Sequence, residues 1–399
     1  MRVNHLGDKN MLKVKLMNKI AKVGTDVLGD RYEVSADVQN EDAIMVRSAA
    51  LHDMEFSSNL RAIARCGAGV NNIPLDKCTD QGIVVFNTPG ANANAVKELA
   101  IAALILASRD IVGGIEWTKT LAENAGDKGV AKAVEAGKGA FVGHELAGKT
   151  LGVVGLGAIG GMVANAAVSL GMSVMGYDPY ITAKAAWSLA PSVKQAADYA
   201  DIFKNCDYIT LHVPATPQTK NMICEKTLAQ MKDGVRILNL SRADLVNATD
   251  VKAGIESGKV AVYVTDFPTE ETVGVKGIIT IPHLGASTVE SEDHCAVMAA
   301  QQLDEFLSCG NIKNSVNFPT VGVLRSEKPR VCIMNKNVPN MLSQITSAFS
   351  SHNVNIENLA NGSKGEVAYT IVETNVLPND DILKNLGDIE GVFGVRLFA

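Results

Sequence analysis

Short apolar runs punctuate the first hundred residues. AIMVR (43–47), AIARCG (62–67) and IVVFN (83–87) each end in a polar or glycine-bearing turn and predict buried strands. Residues 93–111 repeat their apolar positions at helical spacing and predict a helix able to bridge two domains. Residues 119–148, rich in glycine, lysine and alanine with weak periodicity, read as an excursion of helix and loop. From Thr150 the pattern becomes regular: TLGVVGLG is a strand entering a glycine turn, AIGGMVANAAVSLG a helix, and MSVMGYDP a second strand. CDYITLHVP, GVRILNLS, KVAVYVTD and GIITIPH follow, separated by helical segments. Strands alternating with helices imply βαβ units and a parallel sheet, and continuous Val/Ile/Leu runs suit strands covered on both faces. Residues 287–310 predict a long helix that returns to the first domain and makes it discontinuous. After a linker, residues 328–399 run strand, helix, strand, strand, helix, strand, the βαββαβ order of a ferredoxin-like unit. The expected domains are therefore 1–98 with 287–320, 99–286, and 328–399.

Composition narrows the class. The 399 residues are 47% hydrophobic and 20% charged, ordinary for a globular protein of several domains. A net charge of -6 supplies no basic field for nucleic acid, so an anionic ligand must be met by locally placed cations. No run approaches the roughly 18 apolar residues of a membrane span. The opening stretch MRVNHLGDKNMLKVKLMNKI is basic and amphipathic but lacks the apolar core of a secretory signal. Seven cysteines at 66, 78, 206, 224, 295, 309 and 332 form no CxxC pair, which suits reduced thiols in a cytoplasmic protein.

Candidate chemistry begins at VVGLGAIG. Gly155, Gly157 and Gly160 have G-x-G-x-x-G spacing after a strand and at the start of a helix that continues through Ala158 and Ile159. The first glycine permits the tight turn, the second lets backbone approach a pyrophosphate, and the third lets helix and strand pack. The helix N-terminus offers N–H groups and partial positive charge to phosphates. Asp178 follows Gly160 by 18 residues at the end of the next strand. A carboxylate there accepts bonds from a ribose 2′-hydroxyl and repels a 2′-phosphate, which favours NAD over NADP. His212 and Pro214 at a later strand end line the adenine side or form an ordinary turn.

The chain resembles the D-2-hydroxyacid dehydrogenases over roughly 43–320, carried by RCGAGVNNIPLD, GIVVFNTPGANANAVKELAI, ELAGKTLGVVGLGAIG, GYDPY, LNLSRADLV, VTDFPTEE and PHLGAST. The resemblance implies an α/β protein: a Rossmann-type parallel-sheet dinucleotide-binding domain inserted in a flavodoxin-like substrate domain, followed by a ferredoxin-like ACT domain. It implies hydride transfer at carbon 2 of a small acid. A cation must hold the carboxylate, and Arg242 can do so bidentately; an acid/base must serve the hydroxyl, and His283 titrates in the right range. By family spacing Glu270 orients the histidine, with Glu271 the alternative, and Asp266 matches the residue that contacts the nicotinamide amide. The histidines form no HxxxH or HxH cluster, so no metal is expected.

For the substrate, the loop carrying Gly67, Ala68 and Gly69 matches the family's carboxylate-binding backbone, and Arg47 and Arg65 match positions that bind a phosphate. Ala49 stands where some relatives have a second arginine, and Lys97 replaces a usually small residue. The expected reaction is oxidation of D-3-phosphoglycerate to 3-phosphohydroxypyruvate with NAD, a step of serine biosynthesis. Reduction of hydroxypyruvate, glyoxylate or 2-oxoglutarate, and a non-catalytic NAD-sensing corepressor, are the alternatives. In the tail, Asn337 and Asn355 match the family's L-serine-binding asparagines, while Asn335 and Asn340 replace a frequent histidine and glycine. An ACT sheet edge that pairs with a twin implies a homodimer or homotetramer.

Overall fold

The computed structural model describes residues 3–5, 11–124, 126 and 129–398. The amphipathic reading of the opening stretch therefore falls partly on residues 1–2 and 6–10, outside the described residues. The chain divides into two compact units, one of residues up to 92 with those from 289 onward, the other of 93–288.

In the first unit, Tyr32–Ser35, Leu12–Leu16, Ala43–Val46, Ala62–Arg65 and Val84–Phe86 lie side by side in that order, all parallel. The helix Val289–Cys309 covers one face, adding Cys295, Ala299, Leu303 and Phe306 to a core with Val14, Met45, Ala64 and Phe86. It stops at Gly310, whose φ of +75° an L side chain would resist.

Residues 330–398 form an antiparallel sheet with two helices, Met341–Ser350 and Asp380–Asp388, on one face. The alternation of the strands decides what each face meets. Val331, Ile333, Val372, Val395 and Leu397 pack against those helices. Cys332, Met334, Tyr369, Ile371 and Phe398 point the other way, into the core that holds Phe86, Phe306 and Phe318. The tail's sheet thus shares a core with the parallel sheet on its second face. Val3–His5 pairs in parallel with Val392–Phe398 and covers that edge of the tail's sheet.

The fully buried Arg330 closes the seam. Its guanidinium donates to the Glu373 carboxylate at 2.8 Å, to the Cys309 carbonyl at 2.7 Å, and to the Val323 and Leu324 carbonyls at 3.1 and 3.2 Å. One side chain therefore ties helix end, linker and tail together.

The second unit carries a seven-stranded parallel sheet in the order Ile278–Thr280, Val260–Thr265, Val235–Asn239, Tyr208–Leu211, Thr150–Val154, Ser173–Tyr177, Lys194–Gln195. The order reverses beside Thr150–Val154, and the crevice outside the carboxyl ends at such a point is where open α/β sheets take ligands. The helix Ala93–Ser108 lies in this unit, packing Ala100, Ala103 and Leu104 on Leu151 and Val153. The excursion after it folds as Ile111–Asn124 and Val130–Gly137, with Trp117 against Phe141 at 5.2 Å. Among the described residues, no helix is long and apolar enough to cross a membrane.

Candidate active site

The glycine turn follows Thr150–Val154, and each glycine's surroundings fit its expected task. Gly155 has φ +90°, and an added Cβ would press on the His212 carbonyl. At Gly160 a Cβ would strike the Gly155 carbonyl oxygen. Around Gly157 it would meet nothing within 4 Å, which leaves open space over the start of the helix Ala158–Ser169. That is the cradle a pyrophosphate requires, with the N–H groups of Ala158 and Ile159 opening the helix. Asp178 bonds the loop directly: its carboxylate accepts the Leu156 N–H and the Tyr180 N–H, both at 2.9 Å.

His212 lies under the same turn. Its N–H donates to the Val154 carbonyl at 2.7 Å and its Nε2 meets Thr210 Oγ1 at 2.9 Å. Nδ1 is buried with no partner among the described residues, and burial pushes the imidazole down to about 4, so it is neutral near pH 7. Pro214 is exposed, its carbonyl accepting from Thr219 Oγ1 at 2.7 Å.

Three further strands deliver Arg242, Asp266 and His283 to the same carboxyl edge. Arg242 follows Val235–Asn239 in extended backbone, φ -151°, with an exposed side chain whose Nη1 donates to the Ser241 carbonyl at 2.6 Å. The turn that presents it is built by Asn239, fully buried, whose Nδ2 donates to the Arg242 carbonyl at 2.8 Å while its Oδ1 accepts the Ser241 N–H at 3.2 Å. Sequence reading missed Asn239; the signal was a lone amide ending an apolar strand. His283 has φ +43°, uncommon for a non-glycine residue. Its N–H donates to the carbonyls of Asp266 and Ile281 at 3.1 and 2.9 Å, and its exposed ring tilts on Phe267 at 4.8 Å.

The expected pairing of Glu270 with His283 is not made. Strand Val260–Thr265 ends, and the chain closes a tight turn in which the Thr269 N–H donates to Thr272 Oγ1 at 2.9 Å. That turn leaves Glu270 and Glu271 exposed, with no hydrogen bond to the imidazole among the described residues. The buried carboxylate here is Asp266, 1% exposed. Burial raises its pKa, and His283, the Gly285 N–H and Arg242 act in the opposite direction. Among the described residues its Oδ1 has no hydrogen-bond partner, a fit for the donor N–H groups of a carboxamide.

In the first unit, Arg47 and Arg65 stand at the carboxyl ends of adjacent parallel strands, with Val46 opposite Arg65. Arg65 Nε donates to the Arg47 carbonyl at 3.1 Å, and Arg47 Nη1 is paired with Glu292 at 2.7 Å. Asn87 Nδ2 donates to the Ala68 carbonyl at 2.7 Å, and Gly69 lies half-buried in the same loop. Lys97, on the other unit's helix Ala93–Ser108, pairs with Glu98 at 3.6 Å. In the tail, Asn337 Nδ2 donates to the Gly365 carbonyl at 3.1 Å, whereas Asn355 takes a bond from its N–H to Asn375 Oδ1 at 3.0 Å. Strand Ile356–Lys364 separates these two loops, so one chain does not bring both asparagines to one small ligand. Asn340 adopts φ +67°, the left-handed backbone of the glycine it replaces.

Residues 115–287 match the family described as D-isomer specific 2-hydroxyacid dehydrogenase, NAD binding domain. The chain is 34% identical over 341 residues to a D-3-phosphoglycerate dehydrogenase of Synechocystis sp., matching 80% of this chain and 59%, under two thirds, of that protein. It is 33% identical over 316 residues to a hydroxypyruvate reductase of Thermotoga maritima, 75% of this chain and 96% of that one. The fold is similar to that of NAD+-bound 3-phosphoglycerate dehydrogenase of Entamoeba histolytica, with a TM-score of 0.59 and 25% identity, covering 77% of this chain and 99% of the other.

Proposed function

Because this chain belongs to the D-isomer specific 2-hydroxyacid dehydrogenase family, we propose that it oxidises D-3-phosphoglycerate to 3-phosphohydroxypyruvate. The observation that carries the reading is the gathering of Arg242, Asp266 and His283 at the sheet edge that also holds the glycine turn and Asp178. NAD, when bound, supplies the acceptor for the hydride that leaves carbon 2. Gly155, Gly157 and Gly160 with the first helical N–H groups would hold its pyrophosphate, Asp178 its ribose, and Asp266 Oδ1 its carboxamide.

Arg242 holds the substrate carboxylate, and in the reverse direction its charge polarises the neighbouring carbonyl toward the incoming hydride. His283 takes the hydroxyl proton on its imidazole in oxidation and returns it in reduction. Asp266 is buried at the same edge, and its backbone carbonyl accepts the His283 N–H, which fixes the stretch carrying the imidazole. In this positioning role it stands in for Glu270. Arg47 and Arg65 meet the anionic tail, and the backbone around Ala68 and Gly69 lines the substrate loop. An amino-acid effector such as L-serine at the tail, shared between two copies of the chain, remains part of the proposal.

A second reading, reduction of an unphosphorylated 2-keto acid such as hydroxypyruvate, is favoured by the Glu292 carboxylate already occupying Arg47. Steady-state rates with each acid, followed by NADH absorbance and repeated with L-serine, separate the two. A preference for the phosphorylated acid below about tenfold in kcat/KM, a gap of about 1.4 kcal/mol, would reject the phosphate assignment.

A further inference from the structure

Resting on that substrate reading, we propose that Glu292 is a specificity-determining residue: its carboxylate holds the Arg47 guanidinium and must yield it to the substrate's anionic tail, so it sets how strongly tail charge is favoured.

The placement comes first. Arg47 directly follows strand Ala43–Val46 and Arg65 closes its parallel neighbour, so both leave the carboxyl edge of the sheet. The bond from Arg65 Nε to the Arg47 carbonyl fixes the two relative to one another.

The backbone at this edge is already satisfied. Three successive N–H groups, those of Arg47, Ser48 and Ala49, all donate to Asn18 Oδ1, at 2.9, 3.0 and 3.1 Å. Converging amides of this kind otherwise make an anion-binding nest. Here the chain's own amide oxygen fills it, and an arriving anion is left to the arginine side chains.

Glu292 then takes the Arg47 side chain. Nη1 and Oε1 are 2.7 Å apart, with 38% and 43% of the two side chains exposed, so solvent and ligand reach the pair. Glu292 lies in the first turn of Val289–Cys309, a helix anchored by its buried Ser291 and Cys295. The helix dipole stabilises an acid in that turn but does not require it to face Arg47. An exposed pair is weakly held, so a doubly charged tail can exchange for it. The displaced carboxylate nevertheless stays within a few ångströms of the incoming charge and repels it. A hydroxyl tail meets no such repulsion. Glu292 therefore narrows the advantage of phosphorylated over unphosphorylated acids.

The test titrates inorganic phosphate into the full-length protein by calorimetry at low salt, for wild type, Glu292→Gln, Arg47→Gln and the double variant. Glu292→Gln is expected to tighten phosphate by about three- to fivefold, the scale of an exposed ion pair, and the gain should vanish without Arg47. In turnover, KM for 3-phosphohydroxypyruvate should fall by more than KM for hydroxypyruvate, with KM moving more than kcat. Unchanged phosphate affinity in Glu292→Gln, or an equal gain in the Arg47→Gln background, overturns the proposal. The phosphate measurement needs no turnover. A wild type inactive on every 2-hydroxy acid would sink the dehydrogenase reading and leave Glu292 to be decided by phosphate alone.

Discussion

The Asp178 carboxylate accepts the Leu156 N–H at 2.9 Å, and Leu156 stands between the first two glycines of the turn. The acid positioned for the ribose therefore also pins the phosphate loop. Asp178→Ala should raise KM for NAD by roughly 10- to 100-fold, the worth of a lost hydrogen bond to a charged group. Asp178→Asn keeps an acceptor for Leu156 and should cost less affinity, while discriminating against NADP as poorly as the alanine variant. Kinetics with both cofactors decide it, and identical behaviour of the two variants would remove the pinning role.

Arg242 and His283 are exposed at one strand edge, and Asp266 is buried beside them. Arg242→Ala should lower kcat/KM by about 10²- to 10³-fold, the range for removing one preorganised charge-stabilising donor. NADH binding, read by fluorescence, should survive, since among the described residues no hydrogen bond or ion pair joins Arg242 to the glycine turn. Asp266→Asn should cost more turnover than Glu270→Gln. The reverse order would return the orienting role to Glu270.

Much of this was legible in the sequence because it depends on local rules. The strand runs, the glycine spacing and the tail's βαββαβ order are fixed by periodicity and turn chemistry over a few residues, and each stands where it was read. The illegible features are of two kinds. At Glu270 the turn that Thr269 and Thr272 close is local, but spacing alone does not say that it leaves the acid in solvent. The others are long-range. The pairing of Val3–His5 with a strand some 390 residues later leaves no local trace. The burial of both faces of the tail's sheet was written in its strands as unbroken apolar runs such as VCIM, but the partner for the second face was not.

Arg330 and Glu373 test whether that second face matters. Arg330→Met should destabilise the protein by about 3–5 kcal/mol, since it strands a buried carboxylate without its partner. Burial works against the Glu373 charge, but the bonds from Arg330 and Ser326 outweigh it and hold the carboxyl below its usual range. A carboxyl depressed in the folded state contributes stability above the unfolded value of about 4.3 and loses it as pH falls further. Urea unfolding should show that acid loss in wild type and a smaller one in Arg330→Met. Equal loss in both would mean that the pair contributes nothing to acid sensitivity.

His212 governs a different window. Its imidazole is pushed down to about 4 in the folded state, while an unfolded histidine titrates near 6.5. As pH falls through 6.5 the unfolded chain takes up the proton first, so stability declines from there to about 4 and then levels. The gap of about 2.5 units, at 1.36 kcal/mol each, makes the whole loss at most roughly 3 kcal/mol. Glu373 acts only below about 4.3, so measurements at pH 7 and pH 5 isolate His212. His212→Gln retains an amide for Thr210 and removes the titration. Unfolding free energies at pH 7 and pH 5 should differ by about 2 kcal/mol less in this variant than in wild type. An unaltered difference would mean that the ring is solvated in the folded protein, and that the glycine turn does not rest on a neutral imidazole.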